Sequence, residues 1–288
     1  MNATLKLTLS MFIFGTIGIF RRYIPLPSSM VAMTRGIMGM LFLLAFLRIR
    51  KVKLNKAAIK RSLWTLVLSG VVMGVNWILL FEAYNYTSVA TATLCYYLAP
   101  IFIIIVSPFL LKERITARKI VCVCVALLGM VFVSGVLQTG ISGISELKGV
   151  LLGVGAAALY ATVVLLNKRL GDVPAYDRTI LQLGAAGVAL LPYVLLTENV
   201  AAMEFSPLSV AMLAVVCMVH TGVAYALYFG SLMDLKAQTA AILSYIDPVV
   251  AIILSALLLK ESMGVFGAIG AVLVLGAAIV SELPEKRK

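Results

Sequence analysis

An ungapped internal repeat constrains this chain more than any other feature. Gly74 to Glu113 reads GVNWILLFEAYNYTSVATATLCYYLAPIFIIIVSPFLLKE, and Gly222 to Glu261, 148 positions later, reads GVAYALYFGSLMDLKAQTAAILSYIDPVVAIILSALLLKE. Of these 40 positions, 15 are identical. Shared apolar composition raises chance matches, but it does not set Tyr97 on Tyr245, Pro100 on Pro248 and Lys112-Glu113 on Lys260-Glu261. The repeated segments are continuously apolar rather than alternating, so they read as helices and not as lipid-facing barrel strands.

The solvent of these helices is lipid. The chain is 288 residues, 62% hydrophobic and 12% charged, with mean hydropathy +1.08, more apolar surface than a soluble domain of this size can hide. A spanning helix needs about 20 apolar residues. Ten runs qualify, at roughly 5–20, 28–47, 62–84, 88–111, 117–137, 147–167, 176–196, 207–232, 237–259 and 264–282. The fold class is therefore an all-α membrane protein of ten transmembrane helices. Arg21-Arg22 follow the first run without a small-residue cleavage site, so that run is expected to remain as a helix.

A net charge of +12 invites a nucleic-acid reading, which the placement of the charges opposes. With the N-terminus inside, 19 basic residues fall on inner segments, seven of them between Arg48 and Arg61, and 4 on outer loops. That bias predicts cytoplasmic termini in a cytoplasmic membrane, no nucleic-acid partner, and contact of the basic loops with anionic lipid heads.

Five spans per half make the second half enter from the opposite side, so the two repeats are inverted. The loop charges agree: the second–third loop carries seven basic residues, and its counterpart, Thr197 to Pro207, carries none. The halves are 1–140 and 141–288, joined by a Gly/Ser-containing connector near Gln138–Lys148. Their first helices match more weakly, Phe14-Gly15-Thr16 on Tyr160-Ala161-Thr162 and Pro27 on Pro174, with Arg35 opposite Gln182. The GxxxG pairs Gly70/Gly74 and Gly149/Gly153 read as close packing within one subunit, and a monomer is expected.

With Gly-x-x-Trp…Phe-x-Ala, Tyr-x-x-Pro and Leu-Leu-Lys-Glu in place and duplicated, the chain resembles the EamA branch of the drug/metabolite transporter superfamily over essentially its whole length. The resemblance implies a ten-helix inverted-repeat carrier with a central cavity, moving amino acids, other small metabolites or drugs, often outward.

Charge inside a membrane costs about 2.5–3.5 kcal/mol on insertion scales and so marks a cavity or a partner. Arg35, Glu82, His220 and Asp247 qualify. Asp247 lies near the midplane before Pro248, where it can meet an ammonium, a sodium ion or a proton. Arg35 can grip a carboxylate bidentately or pair with Glu82. His220, the single histidine, is either a packed imidazole or a protonation switch, and it excludes a multi-His metal site. Coupling candidates are Glu82, Asp247 and His220. Trp77, Tyr96, Tyr97, Tyr225, Tyr228 and Tyr245 form an aromatic set in which Trp77 aligns with Tyr225 and Tyr97 with Tyr245; ring faces can clasp an aromatic group or an organic cation. Pro100 and Pro248 read as symmetric hinges. The cysteines have no metal spacing, and Lys112-Glu113 and Lys260-Glu261 read as interfacial anchors.

No phosphate loop, HExxH or GxSxG motif is present in the sequence, and neither a cofactor nor a metal is expected. The expected function is a non-enzymatic secondary carrier with a small-molecule substrate bound among Asn76, Trp77, Tyr97, Tyr225, Tyr245, Asp247 and Arg35. Amino-acid or metabolite export is the first reading and an organic-cation carrier the second. A non-transporting sensor or scaffold is the alternative of another class.

Overall fold

The structure is a computed structural model that describes residues 2–21, 23–87, 92, 95–96, 98–112, 115–134, 144–170, 173–258 and 265–282. Among them there are helices and no strands. In chain order they are α1 (Ala3–Arg21), α2 (Ser28–Ile49), α3 (Lys56–Tyr86), α4 (Ala99–Leu111), α5 (Ala117–Ser134), α6 (Ile144–Arg169), α7 (Ala175–Thr197), α8 (Pro207–Leu232), α9 (Ala237–Leu243), α10 (Ile246–Leu258) and α11 (Val265–Glu282). Six stretches, Ala3–Arg21, Ser28–Ile49, Lys56–Ala83, Leu147–Arg169, Ala175–Thr197 and Pro207–Leu232, are long and apolar enough to cross a bilayer. This is a multi-pass membrane protein. Its outside is apolar, with Trp64, Phe109 and Leu196 each 85% exposed.

Two of the expected continuous spans differ in form. The run at 237–259 is split into α9 and α10, and in the run at 88–111 the described residues Ala92, Cys95 and Tyr96 are helical, Leu98 is a turn and α4 follows from Ala99. Proline supplies the reason. Pro248 has no N–H for the carbonyl four residues back, that of Ser244, where α9 has just ended. Pro100 stands in the first turn of α4, where a missing N–H costs no helical bond, and leaves the Tyr96 carbonyl in the same position. Within α8, Val216–Val223 is wound as a π-helix, which the apolar pattern did not reveal.

The packing is that of two repeats exchanged by a twofold. α2 packs on α7 and α5 on α11, each a pairing that the exchange maps onto itself, and α4 of the first repeat packs on α9 of the second. The other large contacts come in mates: α3 on α6 with α8 on α1, α3 on α7 with α8 on α2, and α4 on α6 with α10 on α1. Local geometry repeats as well. Pro27 precedes α2 at φ −53°, ψ 145°, and Pro174 precedes α7 at φ −55°, ψ 147°.

Small residues set the closest approaches. A Cβ on Gly36 would lie 2.8 Å from the Cα of Gly187, and one on Gly129 would lie 2.7 Å from the carbonyl oxygen of Gly270. The GxxxG glycines face neighbours in the same chain: Gly70 and Gly74 meet α7, Gly149 meets Thr87, and Gly153 meets Ala92 and Cys95. Cations finish helix ends. Arg178 is wholly buried and donates to the carbonyls of Asn167, Val173 and Phe229. Lys168 Nζ donates to Leu232 O at 2.8 Å and to Leu235 O. Carbonyls at helix C-termini lack intrahelical donors, and a cation satisfies them while complementing the helix dipole.

Candidate functional site

A cavity of about 260 Å³ opens between the repeats. Its walls come from short stripes at helical spacing: Met11 and Phe14 on α1, Trp77, Leu80 and Phe81 on α3, Tyr225 and Tyr228 on α8, with Tyr96 and Ala99 before and in α4, and Ser244 and Asp247 before and in α10. Arg35, Tyr160, Ile17 and Pro100 complete it. The sequence repeat maps this lining onto itself. Trp77 pairs with Tyr225, Leu80 with Tyr228, Tyr96 with Ser244 and Ala99 with Asp247 at the same 148-residue offset, and Phe14 pairs with Tyr160. The cavity therefore lies on the axis that relates the halves. It is chemically lopsided: apart from Tyr96 and Arg35 the first repeat offers an apolar wall, and the second offers three tyrosines, a serine and a carboxylate.

Ring contacts hold the wall in place. Phe14 meets Tyr225 edge-on with centroids 5.0 Å apart, and Trp77 meets Tyr225 edge-on at 6.1 Å. Tyr160 and Tyr228 stack at 6.5 Å and share a hydrogen bond of 2.6 Å between their hydroxyls. Edge-to-face and offset pairs add stabilisation beyond area burial, about 0.5–1.5 kcal/mol each.

Arg35 is positioned by the π-segment. Its Nε donates to Thr221 Oγ1 at 3.0 Å, and that hydroxyl donates to Val216 O at 2.9 Å, a side-chain bond spanning five residues. The guanidinium also stands 5.3 Å from the Trp77 ring centroid. Arg35 is nine-tenths buried, and its terminal NH₂ groups make no hydrogen bond to any described residue. A guanidinium fixed by its Nε in the wall of a cavity suits a planar anion such as carboxylate. π-Segments often mark such functional places.

The remaining residues singled out by sequence separate into different environments. Arg35, Trp77, Tyr225, Asp247 and Pro100 line the cavity together. Asn76 does not line it; buried, it donates to Ala156 O at 2.6 Å, tying α3 to α6, and accepts from Tyr96 at 3.4 Å. Tyr245 also stands outside, 0% exposed in the core beside the cavity. It follows Ser244 by one residue, about 100° around a helix, so when Ser244 and Asp247 face inward Tyr245 faces away. Pro248 sits one position past Asp247 in the first turn of α10 and is buried. Tyr97, Glu113 and Lys260-Glu261 lie outside the described residues. His220 is 1% exposed, bonded through Nε2 to Thr16 Oγ1 at 2.8 Å and edge-on to Phe20, and does not line the cavity.

Arg35 and Glu82 do not pair. Glu82 accepts from Tyr193 at 2.6 Å and from Asn85 at 3.4 Å, in a separate vestibule of about 210 Å³ with Glu198, which accepts from Ser29. Phe81 borders both spaces and stands between them. The vestibule lies where α2 begins and α3 and α7 end. Toward the opposite, basic ends of the helices, hydrogen bonds join the repeats. Below the Tyr160–Tyr228 pair, Gln238 donates to Ser107 at 2.9 Å and Lys119 to Thr239 at 3.2 Å, both across the repeats. Sequence reasoning missed Phe14, Leu80, Tyr160 and Ser244 as lining residues. The signal was available in the repeat: each is the offset mate of another lining residue, or stands three residues from one.

Comparisons with known proteins bear on this geometry. A model of the EamA-like transporter family matches residues 2–135 and again residues 147–282. The chain belongs to the EamA-like transporter family. It is 29% identical over 276 residues to a Bacillus subtilis (strain 168) protein named Uncharacterized transporter YxxF, covering 95% of this chain and 87% of that one. An Archaeoglobus fulgidus protein named Uncharacterized transporter is 26% identical over 277 residues, covering 96% of this chain and 94% of its own. One solved crystal structure shares the fold with a TM-score of 0.86 at 19% identity, over 97% of both chains. The protein is a membrane transporter built from two EamA repeats.

Proposed function

We propose that the axial cavity is the substrate site of a secondary carrier of small organic solutes, and that amino acids or similar zwitterionic metabolites are its first substrate class. The observation that carries this reading is that Arg35, whose terminal NH₂ groups bond no described residue, and Asp247 line one cavity. A carboxylate and an ammonium on one small molecule complement the two charges. A volume of about 260 Å³ lies at the small end of the ~300–1,000 Å³ typical of ligand pockets, which favours metabolites over bulky drugs. Tyrosine faces in the same wall support an organic cation as the second reading.

The two repeats cross the membrane in ten passes, inverted, with both termini and the basic loops in the cytoplasm and one chain as the working unit. In that frame the structure is closed inward by Tyr160–Tyr228, Gln238–Ser107 and Lys119–Thr239, with Phe81 between substrate and the outer vestibule. Rocking of the repeats about Pro100 and Pro248 exposes the cavity to each side in turn. Asp247 is the first coupling candidate because it lines the cavity; Glu82 and His220 are coupled to it only at a distance.

The test is flux into proteoliposomes across a panel of amino acids and quaternary ammoniums, with Arg35→Gln alongside wild type. The proposal expects saturable amino-acid flux that falls at least tenfold in Arg35→Gln. Cation flux preserved in that variant supports the second reading instead. No flux of any panel member counts against both.

A further inference from the structure

A second apolar space lies away from the axis, and we propose that it is a binding groove for one anionic phospholipid. The groove, about 370 Å³, lies among α1, α2, α7 and α8, lined by Lys6, Phe42, Phe46, Tyr176, Ala226 and Leu227, with Phe46 and Tyr176 exposed at its surface. Along α8 it runs from Val223 to Gly230, about 10 Å at 1.5 Å per residue, a third of the ~30 Å hydrocarbon thickness. Acyl chain fits such a wall.

The rim selects the headgroup. Lys6 is half-buried, and its ammonium makes no hydrogen bond or ion pair with any described residue. The Tyr176 hydroxyl likewise has no partner among the described residues, while its ring leans on Phe46 at 5.7 Å. A half-buried amine and a tyrosine hydroxyl in one lining, near the starts of α1 and α7 and neither with a partner among the described residues, fit a phosphodiester. Basic charge dominates the surroundings: Arg48 lies in the last turn of α2 and Arg50, Lys51 and Lys53 follow it, while the carboxylate next to Tyr176, Asp177, is buried and accepts from the Asn55 N–H. Anionic charge is therefore attracted to the rim from several directions. Lysine stems lie along apolar surface and present their charge at the headgroup level, which places Lys6 where a lipid phosphate would be. This groove is independent of what the axial cavity carries.

Native mass spectrometry of the full chain in detergent, titrated with phosphatidylglycerol and with phosphatidylcholine of matched chains, tests the assignment. The first phosphatidylglycerol is expected to bind wild type about fivefold tighter than phosphatidylcholine, the worth of one lysine near an anionic headgroup. Lys6→Gln abolishes that preference, Lys53→Gln outside the groove keeps it, and Ala226→Leu weakens the first binding of both lipids by filling the groove. A preference that survives Lys6→Gln, or falls equally in Lys53→Gln, overturns the proposal in favour of diffuse attraction. Unchanged binding in Ala226→Leu, or competition by glycerol phosphate without acyl chains, overturns the groove as the place of binding.

Discussion

Gly36 stands where α2 crosses α7, and replacing it with alanine tests the packing that holds Arg35 in place. The added Cβ would lie 2.8 Å from both the Cα and N of Gly187 and 2.9 Å from the carbonyl oxygen of Leu183, where ordinary contacts begin at 3.4 Å. All three atoms are α7 backbone, so no rotamer change relieves the overlap. The helices must part by about 0.6 Å, the difference between 3.4 and 2.8 Å. Overpacking of this kind costs about 1–3 kcal/mol. At 2 kcal/mol, a chain of this size loses roughly 4–8 °C in Tm. Gly276→Ala is the control, because its Cβ would find nothing within 4 Å, and a shift of about 1–2 °C or less is expected there. Fluorescence-detected melting of the two purified variants decides the matter. If Gly36→Ala melts with Gly276→Ala, the α2–α7 crossing is not the tight contact described, and Arg35 is not braced by it.

Three further outcomes are expected. Arg178→Leu removes the guanidinium donor from the carbonyls of Val173 and Phe229 and one of two donors from that of Asn167, which keeps the Leu170 N–H, at about 1–3 kcal/mol for a buried acceptor left unmade, so monodisperse protein should fall sharply by size exclusion; normal recovery and Tm would refute the bracing role. Tyr228→Phe removes the 2.6 Å bond to Tyr160, worth about 1 kcal/mol. It should raise labelling of a Ser244→Cys reporter from the basic face about fivefold, and unchanged labelling would show that the pair does not hold that side shut. Glu82→Gln alters the vestibule and not the axial cavity, so substrate affinity in equilibrium binding should change less than about twofold, within the ±0.5 kcal/mol of remote substitutions; a tenfold loss would merge the two spaces.

Much of the architecture was legible because the repeat carries register. Tyr-x-x-Pro and Lys-Glu fix the offset, and the offset brings Trp77 opposite Tyr225 and Asp247 opposite Ala99 at the axis. Charge was legible too, since Arg35 and Asp247 are conspicuous in apolar runs and both line the cavity. What escaped depended on rotation and on long-range contact. Tyr245 looks like a cavity aromatic by type, yet its position one residue after Ser244 turns it into the core. Glu82 looked like a partner for Arg35 by depth, but Tyr193 on α7 and Thr221 on the π-segment hold them apart. The π-winding itself leaves no mark in an apolar stretch, because it changes the hydrogen-bond ladder and not the composition.

The central claim, that substrate occupies the axial cavity, has a built-in reporter. The chain has two tryptophans: Trp77 lines the cavity and Trp64 is exposed toward lipid. In Trp64→Phe protein, titration with a solute that the carrier transports should change Trp77 emission saturably, at concentrations matching half-maximal flux. The change should disappear in Asp247→Asn or Arg35→Gln. A transported solute that leaves Trp77 emission unaltered at saturating flux would place the substrate elsewhere and contradict the account.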